Sequence, residues 1–321
     1  MLYKNCKKIK VVFISSGNSN NDISAAVKKQ GETLQQAGVD IEYFKIKGKW
    51  LPGYFRNIFM FRTFLKKNPN NIFHAHYALS AYVASMAGAK PLVVSLMGSD
   101  VHAGFYYKYL NKFFNHFFWT ACIIKSERMK NASKITNSIL IPNGVDMKIY
   151  HFHNKNNARG KLGLDKNKKF ALFVANPARK EKNFSLSNLA IEKCNKKVEL
   201  LIVNDKTHEE LNLFYNAADV LLLTSFHEGS PNVVKEAMAC NCPVVSTDVG
   251  DVRWLFGDEP GYFLATFDPV DVAEKIKYAI DFRKKHSQTN GRTRIWELGL
   301  DSESIAGKLI DVYKNVLEIS L

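Results

Sequence analysis

Residues 218–251 read ADVLLLTSFHEGSPNVVKEAMACNCPVVSTDVGD, and this stretch decides the fold. Residues 220–223 form an unbroken apolar run, which suits a parallel strand covered on both faces. That strand is expected to end near Ser225. Ser230 is a favoured N-cap and Pro231 a favoured first helical residue, so a helix is expected to start at Gly229-Ser230-Pro231. Residues 243–247 read as the next strand. In such a strand, loop, helix, strand unit the loop lies at the carboxyl end of a parallel strand, where open α/β sheets bind ligands.

Spacing the helical residues at about 100° per step puts Val233, Val234, Ala237 and Met238 on one side, with Asn232, Lys235, Glu236 and Ala239 on the other. Glu228 and Glu236 then flank a helix N-terminus, whose free N–H groups and positive dipole end suit a phosphate. On the residues alone, the competing reading is a solvated helical carboxylate beside an ordinary loop charge. No capping box is present, because the residue three after Ser230 is Val233.

The run EGSPNVVKEAMACNCPVV, with seven residues between Glu228 and Glu236, resembles the Glu-x7-Glu signature of the family 4 retaining glycosyltransferases of GT-B fold, the glycosyl transferases group 1. The resemblance implies an α/β protein of two Rossmann-like domains, each a parallel sheet between helices, facing one another across a cleft. It implies that Glu236 holds the ribose hydroxyls of a nucleotide-sugar and that Glu228 faces the donor sugar. The backbone of Gly229, Ser230, Pro231, Asn232 and Val233 would approach the sugar and diphosphate.

Other segments carry the same likeness. Residues 139–152, ILIPNGVDMKIYHF, resemble the Pro-Asn-Gly-Val-Asp segment that closes the family's first domain. Residues 154–169 are polar and lysine-rich, as a linker would be. This gives an acceptor-side domain over 1–153, a donor domain over 154–300, and a terminal helix over 301–321 that is expected to pack back on the first domain. After a strand over 170–175, relatives carry an Arg and a Lys that neutralise the donor diphosphate, a role requiring fixed positive charge. Lys182 matches; Arg179 lies nearer to Lys182 than the usual family spacing, where Pro177 falls. A further buried strand over 198–203 leads to Asn204-Asp205-Lys206, where relatives meet the nucleobase.

In the first half, residues 8–15 (KIKVVFIS) read as a buried strand followed by a loop through Gly17, Ser19 and Asn20. Gly17 permits close backbone approach to a ligand. A helix over 23–37, a strand over 41–46 and a helix over 56–67 follow. Residues 72–77 (IFHAHY) make a short strand with His74 and His76 on one face. His76 is an acceptor-side or donor-side candidate, or else a satisfied core histidine. Residues 97–100, MGSD, leave the strand over 91–96 and resemble the family's His-Gly-x-Asp segment, with Met97 where relatives often carry His. Asp100 remains as the ionisable group to orient or accept from an acceptor hydroxyl, or else it caps the next helix.

The chain has 321 residues, 46% hydrophobic and 23% charged, which fits two globular domains. Net charge is +15, and residues 1–150 hold 21 Lys and Arg against 7 Asp and Glu, whereas residues 151–321 hold 24 against 23. A one-sided basic field favours an anionic surface such as a lipid leaflet. Residues 105–119, FYYKYLNKFFNHFFW, mix aromatic and basic side chains in the way a membrane headgroup region takes them; a core helix covered by the other domain is the alternative. No nucleic-acid reader motif appears. Five cysteines, Cys6, Cys122, Cys194, Cys240 and Cys242, follow no disulfide or zinc spacing. There is no Asp-x-Asp motif, so no metal is expected.

The reading is a cytoplasmic, peripherally membrane-bound retaining glycosyltransferase. It would take a UDP- or GDP-linked sugar and elongate a saccharide or lipid-linked saccharide in cell-surface polysaccharide or lipopolysaccharide synthesis. A non-catalytic GT-B nucleotide-binding protein and a GT-B nucleotide-sugar epimerase are the alternatives.

Overall fold

A computed structural model of the chain describes residues 9–18, 23–48, 50–69, 71–102, 104–195 and 197–319. Cys6, Lys8, Ser19, Asn20 and Asn70 lie outside the described residues. The four described cysteines are free thiols, and no described helix is long and apolar enough to cross a membrane.

The chain folds into two compact units, Met1–Pro142 with Ser302–Leu321, and Asn143–Asp301. The first is built on strands β1 (Lys10–Ser16), β2 (Asp40–Ile46), β3 (Ile72–His76), β4 (Leu92–Ser95), β5 (Ala121–Ile124) and β6 (Ile139–Leu140). They form one sheet in the order β2-β1-β3-β4-β5-β6, every pair parallel. β3 and β4 are buried along their whole length, as strands of a parallel sheet covered on both faces are, and β3 carries His74 and His76 into that interior. Helices Ala25–Gln36, Trp50–Lys67, Ala78–Ala87 and Phe105–Phe117 are the long crossovers. The Trp50–Lys67 helix starts six residues before the expected 56. Pro52 falls in its first turn, where no intrahelical donor is required. The terminal Ser302–Ile319 helix packs on Ala25–Gln36 in this unit.

The second unit contains β7 (Phe170–Val174), β8 (Glu199–Val203), β9 (Val220–Leu223), β10 (Val244–Thr247) and β11 (Tyr262–Ala265). These form a sheet in the order β11-β10-β9-β7-β8, again all parallel. β8 sits at the edge, so the fully buried strand expected over 198–203 is instead half exposed.

Two further expectations are corrected. The stretch read as a linker folds into the Lys155–Leu162 helix, N-capped by Asn154, whose side chain accepts from Asn156 and Asn157 N–H. The reason is Arg159, a residue of that helix whose side chain is fully buried. Its guanidinium bonds the carbonyls of Ala217, Lys166 and Lys168 and pairs with Asp219 at 2.8 Å. Residues 143–153, assigned on sequence to the first domain, bond into the second unit: His151 and His153 N–H donate to the side chains of Asn212 and Asn216.

Candidate active site

In the second unit the carboxyl ends of β10, β9 and β7 lie side by side, and the loops leaving them are laced together. Thr224, just after β9, donates its hydroxyl to the carbonyl of Asn183 at 3.0 Å, in the loop after β7. Phe226 N–H bonds the Glu181 carbonyl at 2.9 Å. Thr247, at the end of β10, donates to the Ser225 carbonyl at 2.7 Å. Gly250 adopts φ +57°, and a Cβ there would stand 2.8 Å from the Gly229 carbonyl oxygen. Only glycine fits, so the β10 exit loop lies directly against the Glu228-Gly229 backbone.

This lacing brings Lys182 and Glu228 together. Lys182 Nζ meets Glu228 Oε1 at 2.6 Å, and Ser225 Oγ donates to the same oxygen at 2.8 Å. Both charged side chains keep partial access to solvent, as a ligand site requires. Arg179 stands apart from them. It is exposed and forks onto Glu181 at 2.6 and 2.7 Å.

The helix expected to begin at Pro231 with Ser230 as cap runs over Asn232–Ala239, with Pro231 at the N-cap and no side chain capping it. Ser230 is occupied elsewhere: its hydroxyl donates to Asp251 Oδ2 at 2.6 Å and accepts from Lys235 Nζ at 2.8 Å. The face read as polar is interior, against the competing reading of a solvated helical carboxylate. Lys235 is 0% and Glu236 9% exposed, whereas Val233, placed on the apolar side, is only half-buried. Lys235 Nζ also reaches the Asn143 carbonyl at 2.6 Å. Burial lowers its pKa to about 8, while Asp251 and Glu236 act to raise it. Asp251 Oδ1 is buried with no hydrogen-bond partner.

Glu236 Oε2 accepts the Tyr215 hydroxyl at 2.6 Å. The Tyr150 ring packs edge-on to Tyr215, and its hydroxyl shares a 2.7 Å hydrogen bond with His208 Nδ1. Burial raises the Glu236 pKa, and hydrogen bonds from Tyr215 and Tyr150 and the nearby His208 oppose that rise. Glu236 is therefore a carboxylate held in a tyrosine-lined recess beside an uncapped helix N-terminus. Such a recess suits a diol, and such a terminus suits a phosphate.

The first-unit candidates arrange differently. Gly17 N–H is spent on the Ile46 carbonyl at 2.9 Å. His76 is 3% exposed, stacked on His74 at 4.3 Å and against Phe13 at 4.5 Å. Burial, with Lys125 adding to it, depresses the His76 pKa to about 3, so the ring is neutral. Its Nε2 has no hydrogen-bond partner, whereas His74 bonds Tyr313 and Ser95 at 2.7 and 2.9 Å. His76 is a core residue in this structure. Asp100, the residue expected to meet an acceptor hydroxyl, is also fully buried in this structure, and its carboxylate is taken up by backbone amides. Oδ1 accepts Met97 and Gly98 N–H, both at 2.9 Å, and Oδ2 accepts Ala78 N–H at 3.0 Å. It pins the β4 exit loop to the start of the Ala78–Ala87 helix, one helix earlier than the capping alternative supposed.

Lys235, Asp251, Tyr150 and Tyr215 were not singled out in the sequence. The only cue was positional: Lys235 adjoins Glu236, and Asp251 ends the β10 exit loop.

Comparison with known proteins agrees with this architecture. The family described as glycosyl transferases group 1 matches residues 179–296, and that described as glycosyl transferase 4-like matches residues 6–136. A putative teichuronic acid biosynthesis glycosyltransferase of Bacillus subtilis is 31% identical over 236 residues, covering 64% of this chain and 60% of the relative. A capsular polysaccharide biosynthesis glycosyltransferase of Staphylococcus aureus is 32% identical over 110 residues, covering 33% of this chain and 29% of its own. The chain thus spans about 60% of the length of the first of these relatives. Among solved structures, sucrose-phosphate synthase from Thermosynechococcus elongatus superposes with a TM-score of 0.81 at 18% identity, covering 97% of this chain and 100% of that one. An Anabaena protein, HepE, in complex with UDP and glucose gives 0.75 at 16%, covering 96% and 100%.

Asp100 generates a test. Asp100→Ala strands three amides, two of them fully buried, and should lower stability by about 3 kcal/mol, read as a fall in melting temperature, while Glu228→Ala leaves melting nearly unchanged. An Asp100→Ala protein that melts like the parent contradicts the staple.

Residues 179–296 thus match the glycosyl transferases group 1 and residues 6–136 the glycosyl transferase 4-like family, so each of the two parallel-sheet units carries a glycosyltransferase match on the GT-B fold.

Proposed function

We propose that the protein is a retaining glycosyltransferase that moves a hexosyl group from a UDP- or GDP-linked sugar to a saccharide or lipid-linked saccharide. The observation that carries this reading is the buried Glu236 carboxylate in its tyrosine recess, one helix turn from uncapped amides and near the Lys182–Glu228 pair. Glu236 would accept from the ribose hydroxyls. Lys182 and the amides at Asn232 and Val233 would meet the negative charge that develops on the departing diphosphate, which is where fixed dipoles act most strongly. When the diphosphate takes Lys182, Glu228 is released toward the donor sugar. Arg179, paired to Glu181 and exposed, would assist only after exchanging partners.

Two features support a lipid-linked acceptor at an anionic, cytoplasm-facing membrane surface. The Phe105–Phe117 helix is amphipathic in the inverted sense: it buries Asn111 while Tyr106 is 87% and Phe113 51% exposed, with Tyr109, Leu110 and Phe117 exposed beside them. Phe55, Phe59 and Met60 on the Trp50–Lys67 helix are exposed too. An apolar groove of about 410 Å³ runs among these helices, lined by Tyr54, Ile58, Leu79, Val83, Met86 and Tyr107. Rings of this kind partition into the headgroup region, and the basic excess of residues 1–150 attracts anionic lipid. The likeness to teichuronic acid and capsular polysaccharide enzymes supports a place in cell-surface polysaccharide synthesis.

Thermal stabilisation by UDP, GDP, ADP and their sugars tests the donor assignment. One nucleotide series should raise the melting temperature of the parent and not of Glu236→Ala. Because burial raises the Glu236 pKa, and only the carboxylate accepts both ribose hydroxyls, the affinity should fall as pH drops, at a higher pH than for an ordinary glutamate. Glu236→Gln should show no such step. A parent protein that no nucleotide stabilises would favour the non-catalytic alternative. The surface assignment is tested with vesicles: the chain should sediment with anionic ones and release after Tyr106→Ser with Phe113→Ser, whereas equal sedimentation of parent and variant contradicts it.

A further inference from the structure

At the opposite end of the second unit's sheet, where β7 and β9 begin, lies a polar pocket of about 320 Å³ that the glycosyltransferase reading does not use. Its walls include Lys155, Lys169, Arg283, Lys284, Asp219 and Ser287. Small-molecule sites start at about 300 Å³, so the pocket is large enough for a compact ligand. Its distinguishing feature is charge.

Asp219 is the one carboxylate among these lining residues, and it is already shared. Oδ1 pairs with Lys155 at 3.0 Å, while Oδ2 pairs with Arg159 at 2.8 Å and accepts Phe170 N–H at 2.8 Å. Arg283 is 4% exposed; its Nη2 donates to the Asn216 carbonyl at 2.9 Å, while Nε and Nη1 have no hydrogen-bond partner. Lys169 and Lys284 complete the basic wall. Burial depresses the Lys155 pKa, and Arg159 and Arg283 add to the depression while Asp219 opposes it.

Arg283 and Lys284 lie in the last turn of the Pro269–His286 helix, so they complement its dipole. That pole is equivalent to only about half a negative charge. Setting it and Asp219 against the four lining cations leaves an excess of about two and a half positive charges. The Asn154 cap already holds the first amides of the Lys155–Leu162 helix, so any anion here is met by side chains. A buried guanidinium with idle N–H groups is costly unless a counter-charge reaches it. Phosphate oxygens are the acceptors that arginine and lysine together match best.

We propose that this pocket, walled by Lys155, Lys169, Arg283 and Lys284, binds a small phosphorylated anion, at a site separate from the one containing Lys182, Glu228 and Glu236.

Titration calorimetry of the full chain with inorganic phosphate and with pyrophosphate, at constant ionic strength in chloride, tests this. Pyrophosphate can also enter the donor site, so Lys182→Ala is titrated in parallel. Binding should persist in Lys182→Ala and weaken at least about tenfold in the Lys169→Gln, Lys284→Gln pair. Both lysines are at the rim and Lys284 is exposed; should the pair fold poorly, Lys284→Gln alone should weaken binding in the same direction. No binding to the parent, binding lost in Lys182→Ala alone, or binding untouched by the glutamine variants would each overturn the proposal.

Discussion

The second unit depends on the burial of two adjacent opposite charges, Lys235 and Glu236, on an eight-residue helix. Taking an ion out of water costs several kcal/mol unless hydrogen bonds replace the lost solvation. Each charge therefore conscripts partners from other segments. Lys235 draws in the Asn143 carbonyl and Ser230, and Ser230 in turn holds Asp251. Glu236 draws in Tyr215. The exit loops of β9 and β10 are thereby fixed to the helix before any ligand arrives. Fixed donors and acceptors need no reorganisation when charge develops.

The first unit uses one carboxylate in a comparable way. Asp100 gathers three amides, and its own carbonyl accepts Asn111 Nδ2 at 3.1 Å, while Asn111 Oδ1 accepts the Tyr82 hydroxyl at 2.5 Å. Asn111 is the buried polar anchor of the Phe105–Phe117 helix. With its inward face committed to that hydrogen bond and to Phe114, the helix turns its remaining rings outward. The aromatic surface thus follows from the same loop whose likeness to an active-site segment drew attention to Asp100.

The strands were legible because a parallel sheet covered on both faces demands continuous apolar runs, and residues 220–223 satisfy that without context. Glu228, Glu236 and Lys182 were legible through motif resemblance. What the sequence did not reveal are relations between distant segments. Angular spacing separated Lys235 from Val234 correctly, but it cannot tell that Asn143 and Asp251 cover the polar side of the helix. Ser230 has the chemistry of a cap and was diverted by a stronger acceptor, the Asp251 carboxylate. Arg159 sits in a lysine-rich stretch that looks like linker, and only its folded partners, three carbonyls and Asp219, explain why a helix forms there. His76 shares a face with His74 as its spacing required. Whether that face was cleft or core depended on Phe13 from another strand.

The central claim is that Glu236 binds ribose. The most direct measurement is calorimetric titration of the parent and of Glu236→Gln with the matching nucleoside diphosphate and with its 2′,3′-dideoxy analogue. The account predicts that removing the hydroxyls weakens binding to the parent by about tenfold or more and changes little in Glu236→Gln, because the same interaction is then already lost. Equal affinity of the parent for both ligands, or an undiminished difference in the variant, would contradict it.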